Sequence, residues 1–243
     1  MREWGNKKYW VVGASEGLGR AVSKKLSAVG CDLVLSARSL DRLDELAREL
    51  PGRARTVRCD VTDEQSVAEA VEAVGEIDGI VFLAGTYWPM KAQDWDAEKV
   101  QTMCDVNLGG AARVMGHVVP RMLARGRGHI VLTGSLSGYR GLPNSIGYAA
   151  SKAGVMVLAE GMHADLRGTG VEVQIANPGF IRTRLTEKND FRMPMIMEPE
   201  AAANEIFEHM NSDGFSRAFP KRLGALLRLA NFLPDAIYYR IFS

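Results

Sequence analysis

The sequence predicts a doubly wound α/β fold, a parallel sheet with helices on both faces, and three observations carry that expectation. Short β-branched runs alternate with longer stretches whose apolar residues recur at helical spacing. The alternation returns at intervals of about 20 to 30 residues, too long for hairpins, so successive strands are joined by crossovers and lie parallel. A glycine-rich turn follows the first strand-like run directly, where such a fold opens its first helix.

Residues 9–12, 32–36, 55–59, 80–83, 129–133 and 171–175 read as strands. Between the first two, Leu18, Val22, Leu26 and Val29 recur at helical spacing and Gly30 follows as a stop. The second gap carries Leu40, Leu43, Leu46, Ala47 and Leu50 before Pro51, and the third carries Val67, Val71 and Val74 before Gly75. Asn107 falls inside a long helical segment, and residues 145–167 form another, with Ala149, Val155, Leu158, Ala159 and Met162 on its apolar positions. In open parallel sheets ligands lie beyond the carboxyl ends of the strands, so residues just after each strand are where chemistry is expected.

Composition excludes several functions. The 243 residues are 47% hydrophobic, enough for one large core, and turn-rich punctuation is spread along the chain rather than gathered into a linker. Thirty basic residues against twenty-nine acidic leave a net charge of +1, which gives no reason to expect a nucleic-acid partner. Cys31, Cys59 and Cys104 are odd in number and set among apolar residues, as reduced core thiols would be. His117, His129, His163 and His209 are scattered and suggest no metal site. No signal-peptide pattern and no window approaching 18 apolar residues is present, so a cytoplasmic location is expected.

The loop Gly13-Ala14-Ser15-Glu16-Gly17-Leu18-Gly19 lets the backbone turn tightly and approach a pyrophosphate, while the helix it opens presents unpaired N–H groups. The second strand ends in Ala37-Arg38, offering a cation to a ribose 2′-phosphate and no carboxylate to a ribose hydroxyl, so NADP(H) is preferred and NAD(H) is not excluded. Glu16 opposes that preference as a like charge. Tyr148 and Lys152 stand four apart on one helical face, so an ammonium can favour the phenolate. Bringing a tyrosine from its free pKa of about 10 to neutrality takes roughly 4 kcal/mol of preferential stabilisation, within reach of a nearby cation in a partly desolvated cleft. An isolated pair of this kind is more often an exposed tyrosine beside a snorkelling lysine, and the glycine loop and Ser135 are what favour the catalytic reading here. Ser135 follows the fifth strand, where its hydroxyl can polarise a substrate carbonyl; it lacks the spacing and partners of a hydrolase nucleophile.

In order, Gly13-x-x-x-Gly17-x-Gly19, Cys59-Asp60-Val61, Leu83-Ala84-Gly85, Asn107, Ser135, Tyr148-x-x-x-Lys152 and Asn177-Pro178-Gly179 through Thr183 resemble the short-chain dehydrogenase/reductase family over nearly the whole chain. The resemblance implies a single Rossmann-type domain spanning residues 1–243, with a mostly parallel seven-stranded sheet, and hydride exchange between NADP(H) and a carbonyl or secondary alcohol. It implies that Gly13, Ser15, Gly17, Leu18 and Gly19 hold the cofactor with Arg38, that Asp60 and Val61 meet the adenine, and that Ala84 and Gly85 pass beneath the ribose. Pro178, Gly179, Ile181 and Thr183 fall to the nicotinamide side. Tyr148 becomes the general acid/base, Lys152 its partner and a ribose contact, Ser135 the polarising group, and Asn107 a member of a water-linked relay with Lys152. A homodimer or homotetramer, paired through the helices carrying Asn107 and Tyr148, is implied as well.

The chain departs from the family pattern at Val12 and at Phe82-Leu83, where threonine and two asparagines are usual, so apolar packing is expected to replace a polar tie between the two loops. Residues 184–199 suggest a mobile lid rich in methionine, and Trp88, Leu142 and Phe180 point to a lipophilic substrate. Residues 219–242 read as an amphipathic basic helix. Covering the cleft or pairing subunits accounts for its apolar stripe more simply than peripheral membrane contact does. An NADP(H)-binding redox sensor or scaffold without turnover is the non-enzymatic alternative.

Overall fold

The computed structural model describes residues 2–242. Seven strands, β1 (Lys8–Val12), β2 (Asp32–Ala37), β3 (Ala54–Arg58), β4 (Gly79–Phe82), β5 (Gly128–Thr133), β6 (Val171–Pro178) and β7 (Ser216–Phe219), form one sheet. Their order is β3-β2-β1-β4-β5-β6-β7 and every pairing is parallel. The order reverses between β1 and β4, which opens a crevice above their carboxyl ends.

Side chains alternate across the sheet and build two cores. On one face Trp10, Val12, Ile80 and Phe82 pack against α3 (Glu64–Val74), α5 (Gly110–Arg125) and α6 (Ile146–Asp165). On the other, Tyr9, Val11, Leu33, Leu35 and Val81 pack against α1 (Gly17–Ala28), α2 (Leu40–Glu49) and α7 (Pro199–Met210). A strand buried on both sides must be apolar at successive positions, which is why Tyr9 through Val12 shows no polar alternation. Cys31 and Cys59 are buried free thiols, each pushed up to about 12 by burial, and Cys104 is half-buried.

Three details differ from the sequence reading. The segment holding Asn107 is three elements: α4 (Ala97–Cys104), a π-helical turn (Asp105–Gly109) and α5. Residues 219–242 are not one helix, because Phe219 completes β7 and Pro234 breaks the rest into α8 (Lys221–Ala230) and α9 (Asp235–Phe242). The edge strand β7 lies outside the six runs read directly from the sequence. No helix among the described residues is long and apolar enough to cross a membrane.

Candidate active site

The glycine loop is shaped by contacts that no side chain would permit. Gly13 has φ +90°, and a Cβ there would lie 2.5 Å from the Ala84 backbone nitrogen; one at Gly19 would lie 2.0 Å from the Gly13 oxygen. The loop after β1 therefore rests on the loop after β4, joined by Leu83 N–H donating to the Val12 carbonyl at 2.8 Å. Val12 and Phe82 are buried in one core and Leu83 packs against the other, so apolar packing does occupy the three departing positions. No side chain caps α1 and no acid lies in its first turn, which leaves its leading amides available to an anion beside Ser15, Gly17 and Leu18.

Beyond β2 and β3, Arg38 is exposed and has no carboxylate in ion-pair range among the described residues. Burial acts to raise the Asp60 pKa, but two hydrogen bonds from Thr62 and the nearby Arg38 and Arg58 cations outweigh it and hold the carboxyl below its ordinary value. Val61 is buried against Gly110, and its carbonyl accepts from Arg113. Glu16, the suspected like charge, is held by Arg42 of α2 at 3.0 Å and by Arg184, beyond β6, at 2.6 Å.

The chemical groups converge above β4, β5 and β6. Ser135, two residues beyond β5, caps a short 3-10 turn by accepting from Ser137 N–H, and its hydroxyl lies against the Tyr148 phenol. Burial raises the Tyr148 pKa and the neighbouring Ser135 hydroxyl pulls it back. One turn along α6, Lys152 is buried, 5% exposed; its ammonium lies 5.8 Å from the Tyr148 ring centroid and donates to the Thr133 carbonyl at 2.8 Å. Burial lowers its pKa to about 8. The lysine is thus enclosed rather than snorkelling, and each group's own burial shifts it, Lys152 down and Tyr148 up.

Asn107 is fully buried because the π-helical turn rotates it inward. Its amide donates to the Thr86 carbonyl at 3.0 Å and to Ser151 Oγ at 2.9 Å, while its carbonyl accepts from Thr86 N–H at 2.7 Å. It thereby ties the β4 loop to α6, with Gly85 lying between its side chain and the Lys152 ammonium.

Pro178 ends β6 and is buried; beyond it, Gly179 N–H donates to the Phe219 carbonyl, and Ile181 pairs with Met197 in an isolated parallel bridge. Thr183 approaches Gly17, joining this segment to the glycine loop. Residues between the bridge partners cross the crevice: Lys188 donates to the Tyr87 carbonyl and Asn189 accepts from the Tyr87 hydroxyl, both at 2.7 Å. Tyr87, absent from the sequence-derived set, stacks edge-on to Tyr148 with ring centroids 4.9 Å apart. Burial pushes its phenol up to about 12, so it remains a neutral hydrogen-bonding wall. Its place two residues beyond Gly85 was the one available signal. His129 is remote in chemistry, buried between Tyr9 and Gln174 and lowered to about 3 by burial. Among the described residues no cluster of three or more His, Cys, Asp or Glu is placed to hold a metal.

A crevice at the reversal of a parallel sheet, floored by a glycine loop at a helix N-terminus, is the architecture of the dinucleotide-binding α/β folds. The family model described as short chain dehydrogenase matches residues 7–193. An uncharacterized oxidoreductase of Myxococcus xanthus is 34% identical over 245 residues, covering 98% of this chain and 97% of that protein. One from Staphylococcus epidermidis is 34% identical across 81% of this chain and 87% of its own length. A short chain dehydrogenase of Burkholderia cenocepacia in complex with NADP superposes with a TM-score of 0.89 at 21% identity, covering both chains in full. A Burkholderia phymatum short chain dehydrogenase/reductase in complex with NAD gives 0.86 at 24% identity, covering 99% of this chain and 97% of that one. The chain belongs to the short-chain dehydrogenase/reductase family and is an oxidoreductase of that family.

Proposed function

We propose that the chain exchanges a hydride between NADP(H) and a carbonyl or secondary alcohol of lipophilic character, with Tyr148 as general acid/base. The observation that carries this reading is the convergence beyond β5 of buried Ser135 and Lys152 on half-buried Tyr148, beside a glycine cradle that any Cβ would fill. The residues present fit a dinucleotide: Gly13, Ser15, Gly17, Leu18 and Gly19 would hold its phosphates, Asp60 and Val61 its adenine, and Ala84, Gly85, Lys152, Pro178, Gly179, Ile181 and Thr183 its ribose and nicotinamide side. Bound there, the dihydronicotinamide supplies a hydride to the carbonyl carbon. The chain's own residues do the rest. Ser135 hydrogen-bonds the carbonyl oxygen where negative charge develops. Tyr148 transfers its phenolic proton to that oxygen, and the protonated Lys152 favours the phenolate left behind. Asn107 keeps the β4 loop and α6 in register and borders a water-linked route for proton resupply.

The NADP(H) preference is supported by Arg38, exposed and without an ion-pair partner among the described residues, with Arg58 nearby, and by the two arginines that neutralise Glu16. Lipophilic substrates are supported by Tyr87, Trp88, Leu142 and the Phe180–Phe191 pair, with residues 184–199 as the lid. The whole chain is proposed to act as one domain, in the cytoplasm and as a homodimer or homotetramer.

A panel of ketones, aldehydes and alcohols, followed by nicotinamide absorbance in both directions, tests the reaction. Wild type is expected to turn over apolar members, and Tyr148→Phe to lose on the order of 100-fold or more while still binding cofactor. Full turnover by the folded variant would overturn the role of Tyr148. Cofactor binding without turnover across the panel would favour a redox sensor.

A further inference from the structure

We propose that the α8–α9 hairpin docks on an anionic phospholipid surface, lying in the headgroup layer without crossing it. The proposal is independent of the reaction. Half of the large apolar side chains left exposed among the described residues lie in this short stretch: Leu226, Leu229, Phe232, Ile237, Tyr239 and Ile241. Phe232, at the turn joining the helices, is 83% exposed. The body of the protein already has its share of the hairpin. Leu223, Gly224 and Ala230 of α8 and Tyr238 of α9 are buried against it, with Gly224 facing Ala218 and Leu136. The exposed residues are therefore a second apolar face on helices whose first face is packed, and covering the cleft does not account for it.

Charge selects the occupant. The segment from Lys221 to Phe242 carries Lys221, Arg222, Arg228 and Arg240 against a single acid, Asp235, a surplus of three cations in a chain whose net charge is +1. That acid is engaged by Arg140 at 2.5 Å. On α8, Arg222 shares its exposed side with Leu226 and Leu229, an arrangement that lets apolar groups enter a headgroup layer while guanidinium groups meet phosphate. A second copy placed about a two-fold axis would present the same cations to themselves, whereas an anionic bilayer complements them. Helices of ten and eight residues are too short to span.

The hairpin is also held ready. Arg140 donates to the Ala230, Asn231 and Leu233 carbonyls at 3.3, 3.5 and 2.9 Å and lies 3.9 Å from the Tyr238 ring centroid. The Tyr238 hydroxyl donates to the Gly141 carbonyl at 3.0 Å. A turn fixed in this way presents Phe232 without an ordering cost on contact.

Co-sedimentation of the full chain with vesicles of phosphatidylcholine, and of phosphatidylcholine mixed equally with phosphatidylglycerol, tests the proposal. Partition is expected onto the anionic vesicles alone and is expected to fall as salt is raised. Lys221→Gln with Arg222→Gln should lower it on the order of tenfold, and Leu229→Ser with Phe232→Ser should lower it comparably; thermal melts should show both variants folded. Wild-type protein left in the supernatant with both vesicles overturns the proposal, as does equal partition onto both or partition unchanged in both variants. A dimer in sedimentation velocity that Phe232→Ser dissociates, without lipid binding, overturns it in favour of a second copy.

Discussion

Replacing Lys152 with methionine should make the cofactor-free protein more stable near neutral pH while disabling it. Lys152 is 5% exposed and its pKa is lowered to about 8 from an ordinary value of 10.5. The folded chain therefore holds this proton less firmly than the unfolded chain does. The resulting cost is full below about pH 8 and is relieved as pH rises through 10.5. Linkage puts it at roughly 3 kcal/mol near pH 7.5 and roughly 1 kcal/mol near pH 9.5. Against this, the variant loses the hydrogen bond to Thr133, about 1 to 2 kcal/mol. Urea unfolding of both proteins at the two pH values should show Lys152→Met ahead at the lower pH, by about 1 to 2 kcal/mol, and that advantage shrinking by about 2 kcal/mol at the higher. Burial raises the Tyr148 pKa and loss of the neighbouring cation can only raise it further, so the folded phenol stays neutral at both pH values in either protein and adds little to the comparison. A stability difference that stays constant between the two pH values would refute the reasoning.

Arg38→Ala should weaken NADPH binding by roughly tenfold and leave NADH almost unchanged, since only the 2′-phosphate would use that cation; fluorescence titration with both cofactors measures it. Asn107→Ala should cost about 2 to 4 kcal/mol in urea unfolding, because it removes three hydrogen bonds and strands both backbone groups of Thr86. Gly13→Ala should cost about 2 kcal/mol or more and abolish cofactor binding, as its Cβ would meet the Ala84 backbone at a residue with φ +90°.

Much of the fold was legible because buried parallel strands must be apolar on both faces, and runs such as Tyr9 to Val12 announce this without long-range information. The edge strand β7 was not legible in the same way: its four residues include exposed Ser216 and half-buried Arg217, so no apolar run marks it. The spacing of Tyr148 and Lys152 placed them on one helical face, but their surroundings come from segments far along the chain. Burial by those segments lowers Lys152 and raises Tyr148, an effect that spacing cannot express. Asn107 read as a mid-helix residue because helical periodicity does not reveal a π turn, and only that turn directs its amide towards Thr86 and Ser151. Glu16 looked like an obstacle to a phosphate while its neighbours were known only in sequence; Arg184 lies far from it along the chain and beside it in space.

The bridge between Ile181 and Met197 separates the segment over the crevice from the sheet that carries it. Arg182 N–H donates to the Met197 carbonyl and Met197 N–H to the Phe180 carbonyl, so both ends are clamped at one place. A loop closed at its base can change length at little thermodynamic expense, each doubling costing only about 0.6 kcal/mol in closure entropy. Insertions and deletions beyond Asn189, which spare the contacts of Thr183, Arg184, Lys188 and Asn189, would be expected to change what the crevice admits while the glycine floor and the Ser135–Tyr148–Lys152 group stay as they are. The segment is in this sense an exchangeable cassette, and it is the place to graft a new substrate preference onto this scaffold.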